Sequence, residues 1–128
     1  MRLLLDTHAL LWWLDGDASL SPAAQEAIAD EASEIFVSAA SAWEIATKHR
    51  LGKLPGAAMV AAGVAACVAS QGFIELPITM ADGQKAGSLP GTHRDPFDRM
   101  LVAQAIVNDL VLVSNETAFD QFGASRLW

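Results

Sequence analysis

The chain has 128 residues, 52% of them hydrophobic, and 15 acids against eight Lys and Arg give it a formal charge of −7. That length buries a core for one domain without disulfide staples, and the single cysteine, Cys67, set among alanines and Val68, reads as a small core residue in a reducing, cytoplasmic setting. The longest apolar segment, 59–69, is broken by Gly63 and falls short of the roughly 20 residues a membrane span needs; Asp6 interrupts what would be the apolar part of a secretion leader; and the negative balance argues against a broad basic surface gripping nucleic acid.

In chain order, Leu3, Leu4 and Leu5 form an unalternating apolar run, the pattern of a strand covered on both faces, and 7–14 read as a short helix ending before Gly16. Ser21-Pro22 is a helix start leading into 23–32. Residues 35–37 give a second strand, and 38–51 a helix carrying Trp43, Ile45, Ala46 and Leu51, closed by Gly52. The alanine-rich segment 56–70 predicts one helix ending at Gly72. A third strand at 73–76 precedes Pro77, and 79–87 suggest a helix weakened by Gly83. After a turn-rich stretch comes a helix over 95–108, a fourth apolar strand at 110–113, a short helix from Glu116 and a terminal strand near 125–128. This alternation predicts a single α/β domain over 1–128, with a central parallel sheet of four to five strands flanked by helices on both faces and joined by right-handed crossovers.

Asp6 stands at the carboxyl end of the first strand, where open α/β sheets place their ligands; it is equally placed to cap the following helix. Glu116 follows the fourth strand at the same edge. Glu44 lies about two turns into its helix at ~3.6 residues per turn, beside a mostly apolar face marked by Ala40, Trp43 and Thr47. An acid there needs a partner, and Lys48, four residues on in the favourable Glu-to-Lys order, is one candidate. In HRDPFDRMLVAQA, residues 93–105, Asp95 before Pro96 is a strong helix start. Asp98 sits in the first turn, where the helix dipole favours an acid, but on the stripe shared with Val102 and Ala105 that faces the sheet. If Asp6, Glu44, Asp98 and Glu116 converge, their repulsion demands protons or cations, and oxygen ligands without clustered Cys or His select Mg²⁺ or Mn²⁺. Such a pocket suits a phosphate-bearing substrate, and the local field would then reverse the sign suggested by the net charge. His8, His49 and His93 are read as surface or hydrogen-bonding residues rather than ligands.

The four segments LLLDTHALLWWL, VSAASAWEIATKHRLGKLP, HRDPFDRMLVAQA and LVLVSNETAFDQFG, in this order across nearly the whole chain, resemble the PIN-domain ribonucleases, specifically VapC-like toxins of bacterial toxin–antitoxin pairs. The resemblance places Asp6, Glu44 and Asp98 on the family's three acidic metal-site positions and gives Asp95 and Ser114 supporting roles. The fourth acidic position, commonly aspartate, is here Glu116, which keeps the charge but reaches further. The resemblance implies an endoribonuclease using Mg²⁺ or Mn²⁺ that cuts RNA, tRNA or rRNA, to stop translation, forms homodimers and is silenced by a cognate antitoxin. Lys48, Arg50, Lys53, Arg94 and Arg99 flank the acidic segments and are the candidates for RNA phosphate contacts. Trp12, Trp13 and Trp43 fit core packing or a dimer seam better than base stacking.

Other readings fare worse. A haloacid-dehalogenase-like phosphatase wants a second aspartate two residues after the first, where this chain has His8; a Rossmann domain wants a glycine fingerprint that is missing. A response-regulator receiver wants an acidic pair before strand one. The alternative from another class is a PIN-like module that binds RNA or protein without cutting, which the Glu116 replacement favours and the retained Asp6, Glu44 and Asp98 oppose.

Overall fold

The computed structural model describes all of residues 1–128. Its strands are β1 (Arg2–Leu5), β2 (Glu34–Ser38), β3 (Ile74–Leu76), β4 (Val111–Val113) and β5 (Arg126–Leu127). They form one sheet in the order β3-β2-β1-β4-β5, parallel throughout. Around it lie α1 (Thr7–Asp15), α2 (Pro22–Ala29), α3 (Ala39–Arg50), α4 (Ala58–Ala62), α5 (Val64–Ser70), α6 (Met80–Ser88), α7 (Pro96–Val107) and a 3₁₀ helix, Thr117–Phe122. None of the helices is long and apolar enough to cross a membrane.

The central position of β1 explains its unbroken leucines. Side chains of a strand alternate between faces, so Leu3 and Leu5 enter one core with Leu10 of α1, Ile28 of α2 and Val68 of α5. Leu4 enters the other, with Leu101, Val102 and Ala105 of α7, Leu112 and Phe119. Each of the three leucines is fully buried, which places α1, α2 and α5 on one side of the sheet and α6 and α7 on the other. The two edge strands have only three and two residues, a length that offers little template for pairing with another chain.

The structure departs from the expected elements in three places. The 56–70 segment is two helices, because Gly63 takes an extended φ of −161° and lets the chain restart at Val64. The second helix stops at Ala29 rather than 32, since Asp30 leaves helical geometry and its carboxylate accepts from the Ala32 amide, a local turn that competes with continuation. The helix from Glu116 is a 3₁₀ turn ending at Gly123 in the left-handed region. Conversely, α6 runs through Gly83 because Thr79 and Asp82 form a reciprocal capping box and the helix packs on α7. Cys67 is half-buried rather than fully internal, on the outer helix α5.

Parallel pairing of β1 with β4 brings their carboxyl ends side by side. The Asp6 amide donates to the Val113 carbonyl at 3.1 Å, so the residues that follow the two strands, Asp6 and Ser114, emerge at one edge.

Candidate active site

At that edge opens a cleft of about 260 Å³, lined among others by Asp6, Glu44, Asp95, Asp98 and Glu116, with Lys48 the only Lys or Arg in its wall. Three of the five acids are explained locally as helix caps. Asp6 Oδ1 accepts from the Ala9 amide at 2.7 Å and starts α1. Asp95 Oδ1 accepts from the Phe97 and Asp98 amides at 2.9 and 3.2 Å and starts α7. Glu116 Oε1 accepts from the Ala118 amide at 3.0 Å and starts the 3₁₀ helix. Caps of this kind satisfy orphan amides and aim positive helix ends at the cleft. For Asp6 the two sequence readings therefore coexist, since one oxygen caps while the residue lines the cleft.

Glu44 has no such explanation. It sits in the interior of α3 with 4% exposure, where a carboxylate is costly unless paired. Its Oε1 accepts from the Thr7 hydroxyl at 2.6 Å, and its Oε2 is paired with the Lys48 ammonium one turn on. Thr7, the residue immediately after Asp6, also lies 3.1 Å from the Ser41 hydroxyl, so α3 and the start of α1 are tied through hydroxyl contacts beneath the cleft. Asp98, the third residue of α7, faces the cleft and meets His93 Nε2 at 2.8 Å.

Electrostatics follow from this crowding. Asp6 is 7% exposed and belongs to no ion pair; burial raises its pKa above the usual carboxylate range, Glu44 adds to the rise, and the Ser114 hydroxyl, the Ala9 amide and His8 only partly oppose it. Burial likewise raises Asp98, with Asp95 and Glu44 adding to it against the His93 contact. For Lys48 burial works against the charged ammonium, but the bond to Glu44 and the fields of Glu44, Asp95 and Asp98 outweigh it and hold its pKa above the ordinary lysine value.

The donor chemistry fits a hard divalent cation. The acids offer oxygens only, and Asp6 is a buried carboxylate that belongs to no ion pair. The present spacing is looser than a formed coordination set, since no three His, Cys, Asp or Glu side chains stand close enough to share one ion. Two contacts account for that: Glu44 is turned to Thr7 and Lys48, and Asp98 to His93.

Of the cations expected to meet RNA, Lys48 is in the cleft wall, and Arg50, Lys53 and Arg94 are exposed on its flanking segments. Arg99 points elsewhere and is the correction. Its guanidinium donates to the Ala86 carbonyl at 3.0 Å, the His93 carbonyl at 2.9 Å and the Leu89 carbonyl, and lies over Phe122, so it staples the 89–95 loop to α6 and α7 rather than facing solvent. That loop approaches the 3₁₀ helix closely at Gly91, whose φ of +105° favours glycine and where a Cβ would meet the Gln121 side-chain oxygen at 2.8 Å and the Phe122 ring at 3.4 Å. Ser114 is fully buried, its hydroxyl accepting from the Glu116 amide at 3.0 Å. Sequence reasoning overlooked Thr7, Ser41 and Asn115, and Thr7 alone carried a signal, a hydroxyl directly beside the strand-end acid. Of the tryptophans, Trp12 lines the cleft and packs against Trp128, Trp13 donates to Gln71, and Trp43 is 60% exposed against the edge of Phe97.

Among curated proteins none matches the sequence. Solved structures share the fold. The VapBC2 complex of Rickettsia felis, bound to a DNA fragment from its promoter, matches with TM-score 0.73 at 14% identity over 99% of this chain and 98% of the other. VapBC-1 of nontypeable Haemophilus influenzae matches with TM-score 0.65 at 13% identity over 99% and 97%, and a toxin-antitoxin complex of Klebsiella pneumoniae with TM-score 0.64 at 16% identity over 98% and 96%. The PIN domain family model matches residues 3–124, which takes in both strand-end acids, all of α3 and all of α7. With the acidic cleft falling at the carboxyl edge of the all-parallel sheet and nearly the whole chain within that match, the protein belongs to the PIN domain family.

Proposed function

We infer that this chain is a metal-dependent endoribonuclease, a VapC-like toxin that cuts RNA, of the tRNA or rRNA class, to stop translation and is neutralised by a cognate antitoxin. The observation that carries this reading is Glu44: a buried acid in the interior of a helix, lining the same cleft as Asp6 and Asp98, serves no capping purpose. The fold shared with proteins of toxin–antitoxin complexes supports the antitoxin partner.

Asp6 and Asp98 would hold Mg²⁺ or Mn²⁺ with Glu44 alongside, Asp95 setting the start of α7 and Ser114 standing beside Asp6. When bound, the ion would activate water for attack and offset charge at the phosphate. The chain's own residues do the rest. Asp6 is fixed by its bond to Ala9, Asp98 would leave His93 to join the ion, and Glu116 sits at the rim as the cap of the 3₁₀ helix. Arg50, Lys53 and Arg94 are free to meet phosphates beyond the reacting one. Thr7 and Ser114 have their hydroxyls engaged, which fits water rather than a side chain as nucleophile. For the homodimer, the exposed Trp43 and Ile78 beside Phe97 provide an apolar surface.

One observation favours the second reading, a module that binds without cutting: Glu44 is already paired with Lys48, and no three acids share ligand spacing. Incubating total RNA with purified, partner-free protein and Mg²⁺, Mn²⁺ or EDTA separates the two. Metal-dependent fragments with 5′-phosphate and 3′-hydroxyl ends, lost in Asp6→Asn and Asp98→Asn, are expected. Cyclic-phosphate ends, or no cleavage by a folded protein that binds RNA, would overturn the nuclease reading.

A further inference from the structure

Lys48 is the only Lys or Arg in a cleft lined by five acids, and it is spent on the most buried of them. An ammonium and a divalent ion compete for the same carboxylate charge, and both Glu44 oxygens are already engaged, Oε1 by the Thr7 hydroxyl and Oε2 by the Lys48 ammonium. Asp6, the next most buried of these acids, is left with no ion-pair partner. The helical spacing makes the pairing cheap to hold, because residues four apart on α3 face one another and the Lys48 stem lies in the half-buried wall.

We propose that Lys48 is a tethered counter-ion that occupies Glu44 in the metal-free protein, keeps it out of the coordination set with Asp6 and Asp98, and so lowers divalent-ion affinity. This rests on the metal-site reading above and gives the Glu44–Lys48 pair a role in setting ion affinity. Two consequences follow. Removing the ammonium frees Glu44 to join the ion, and tighter binding results. The same removal strands a buried carboxylate when no ion is present, so the metal-free variant is less stable than wild type and regains more stability on adding the ion.

The test is Mn²⁺ binding by calorimetry, with thermal melting in EDTA and in Mn²⁺, for wild type, Lys48→Met, Lys48→Gln, Lys48→Arg and Asp6→Asn. Lys48→Gln keeps a donor toward Glu44 without charge and remains informative if Lys48→Met fails to fold. The expected result is Mn²⁺ affinity raised about tenfold in Lys48→Met or Lys48→Gln, near wild type in Lys48→Arg, with a lower Tm in EDTA and a larger rise on adding Mn²⁺. Equal or weaker Mn²⁺ binding by folded neutral variants, while wild type binds and Asp6→Asn does not, would overturn the counter-ion role and leave the metal site standing. No Mn²⁺ binding by any variant would overturn both.

Discussion

The two walls of the acidic cleft are built by different means. On one wall, Asp6 and Glu44 come from the central strand edge and the interior of α3, and both are buried nearly completely. On the other, Asp95, Asp98 and Glu116 come from the first turns of α7 and the 3₁₀ helix, half-buried or exposed, where unsatisfied amides make an acid welcome. The second wall would hold acids in many proteins with no chemistry at all. The first would not hold Glu44, because a carboxylate buried in a helix interior beside the buried cap residue Asp6 opposes folding unless something cationic offsets it. That difference makes the first wall the better evidence of function, and Lys48 the residue on which its metal-free state depends.

The sharpest way to break the comparison is by activity. Asp6→Asn from the first wall and Asp98→Asn from the second should each reduce metal-dependent RNA cleavage by at least about 100-fold, read by fragment yield on gels, because each removes a ligand to the same ion. If only the first-wall variant loses activity, the second wall is structural. The next effect is on stability. Arg99→Ala removes three guanidinium bonds to the Ala86, Leu89 and His93 carbonyls and should cost about 2–3 kcal/mol in urea unfolding. Arg94→Ala, exposed in the same loop, should leave stability within about 0.5 kcal/mol of wild type and instead flatten the salt dependence of RNA binding.

A smaller effect comes from pH. The raised pKa values of Asp6 and Asp98, caused first by burial, mean that folding favours their protonated forms. Their contribution to stability is therefore fully present below the unfolded carboxylate pKa and is lost as pH rises through the raised folded values. In EDTA, Asp6→Asn should melt a few degrees above wild type at pH 7, and that gap should close on acidification toward the carboxylate range; a gap independent of pH would mean Asp6 is not destabilising through its charge. The smallest effect belongs to the rim. Glu116→Ala loses one cap bond and should cost about 0.5–1 kcal/mol, with Glu116→Asp recovering part of it in the same melting experiment.

Much of this was legible in the residues. The leucine run before Asp6 implied a doubly covered central strand, Asp95-Pro96 marked a helix start, and the parallel alternation put Asp6 and Glu116 at one edge, because periodicity, proline geometry and strand polarity are local properties of the chain. The direction of Glu44 was inferable from its helical neighbours, and Lys48 was recognisable as its partner from spacing alone. The break at Gly63, the early end at Asp30 and the 3₁₀ turn were not, since each turns on small local preferences that packing arbitrates. Arg99 was misjudged for a related reason. A charged side chain in a helix reads as solvent-facing until the three carbonyls that receive it, 6, 10 and 13 residues away, have been folded around it.

By itself the sequence determined the α/β architecture and the strand-end placement of Asp6 and Glu116, because these depend on residue type and short-range spacing. Only the tertiary structure decided which acids are caps, which one is buried without a capping role, and that the cation beside it comes from the chain itself. Those outcomes depend on what each carboxylate loses in solvation and which donors reach it, and both are set by elements distant in sequence meeting at one edge of the sheet.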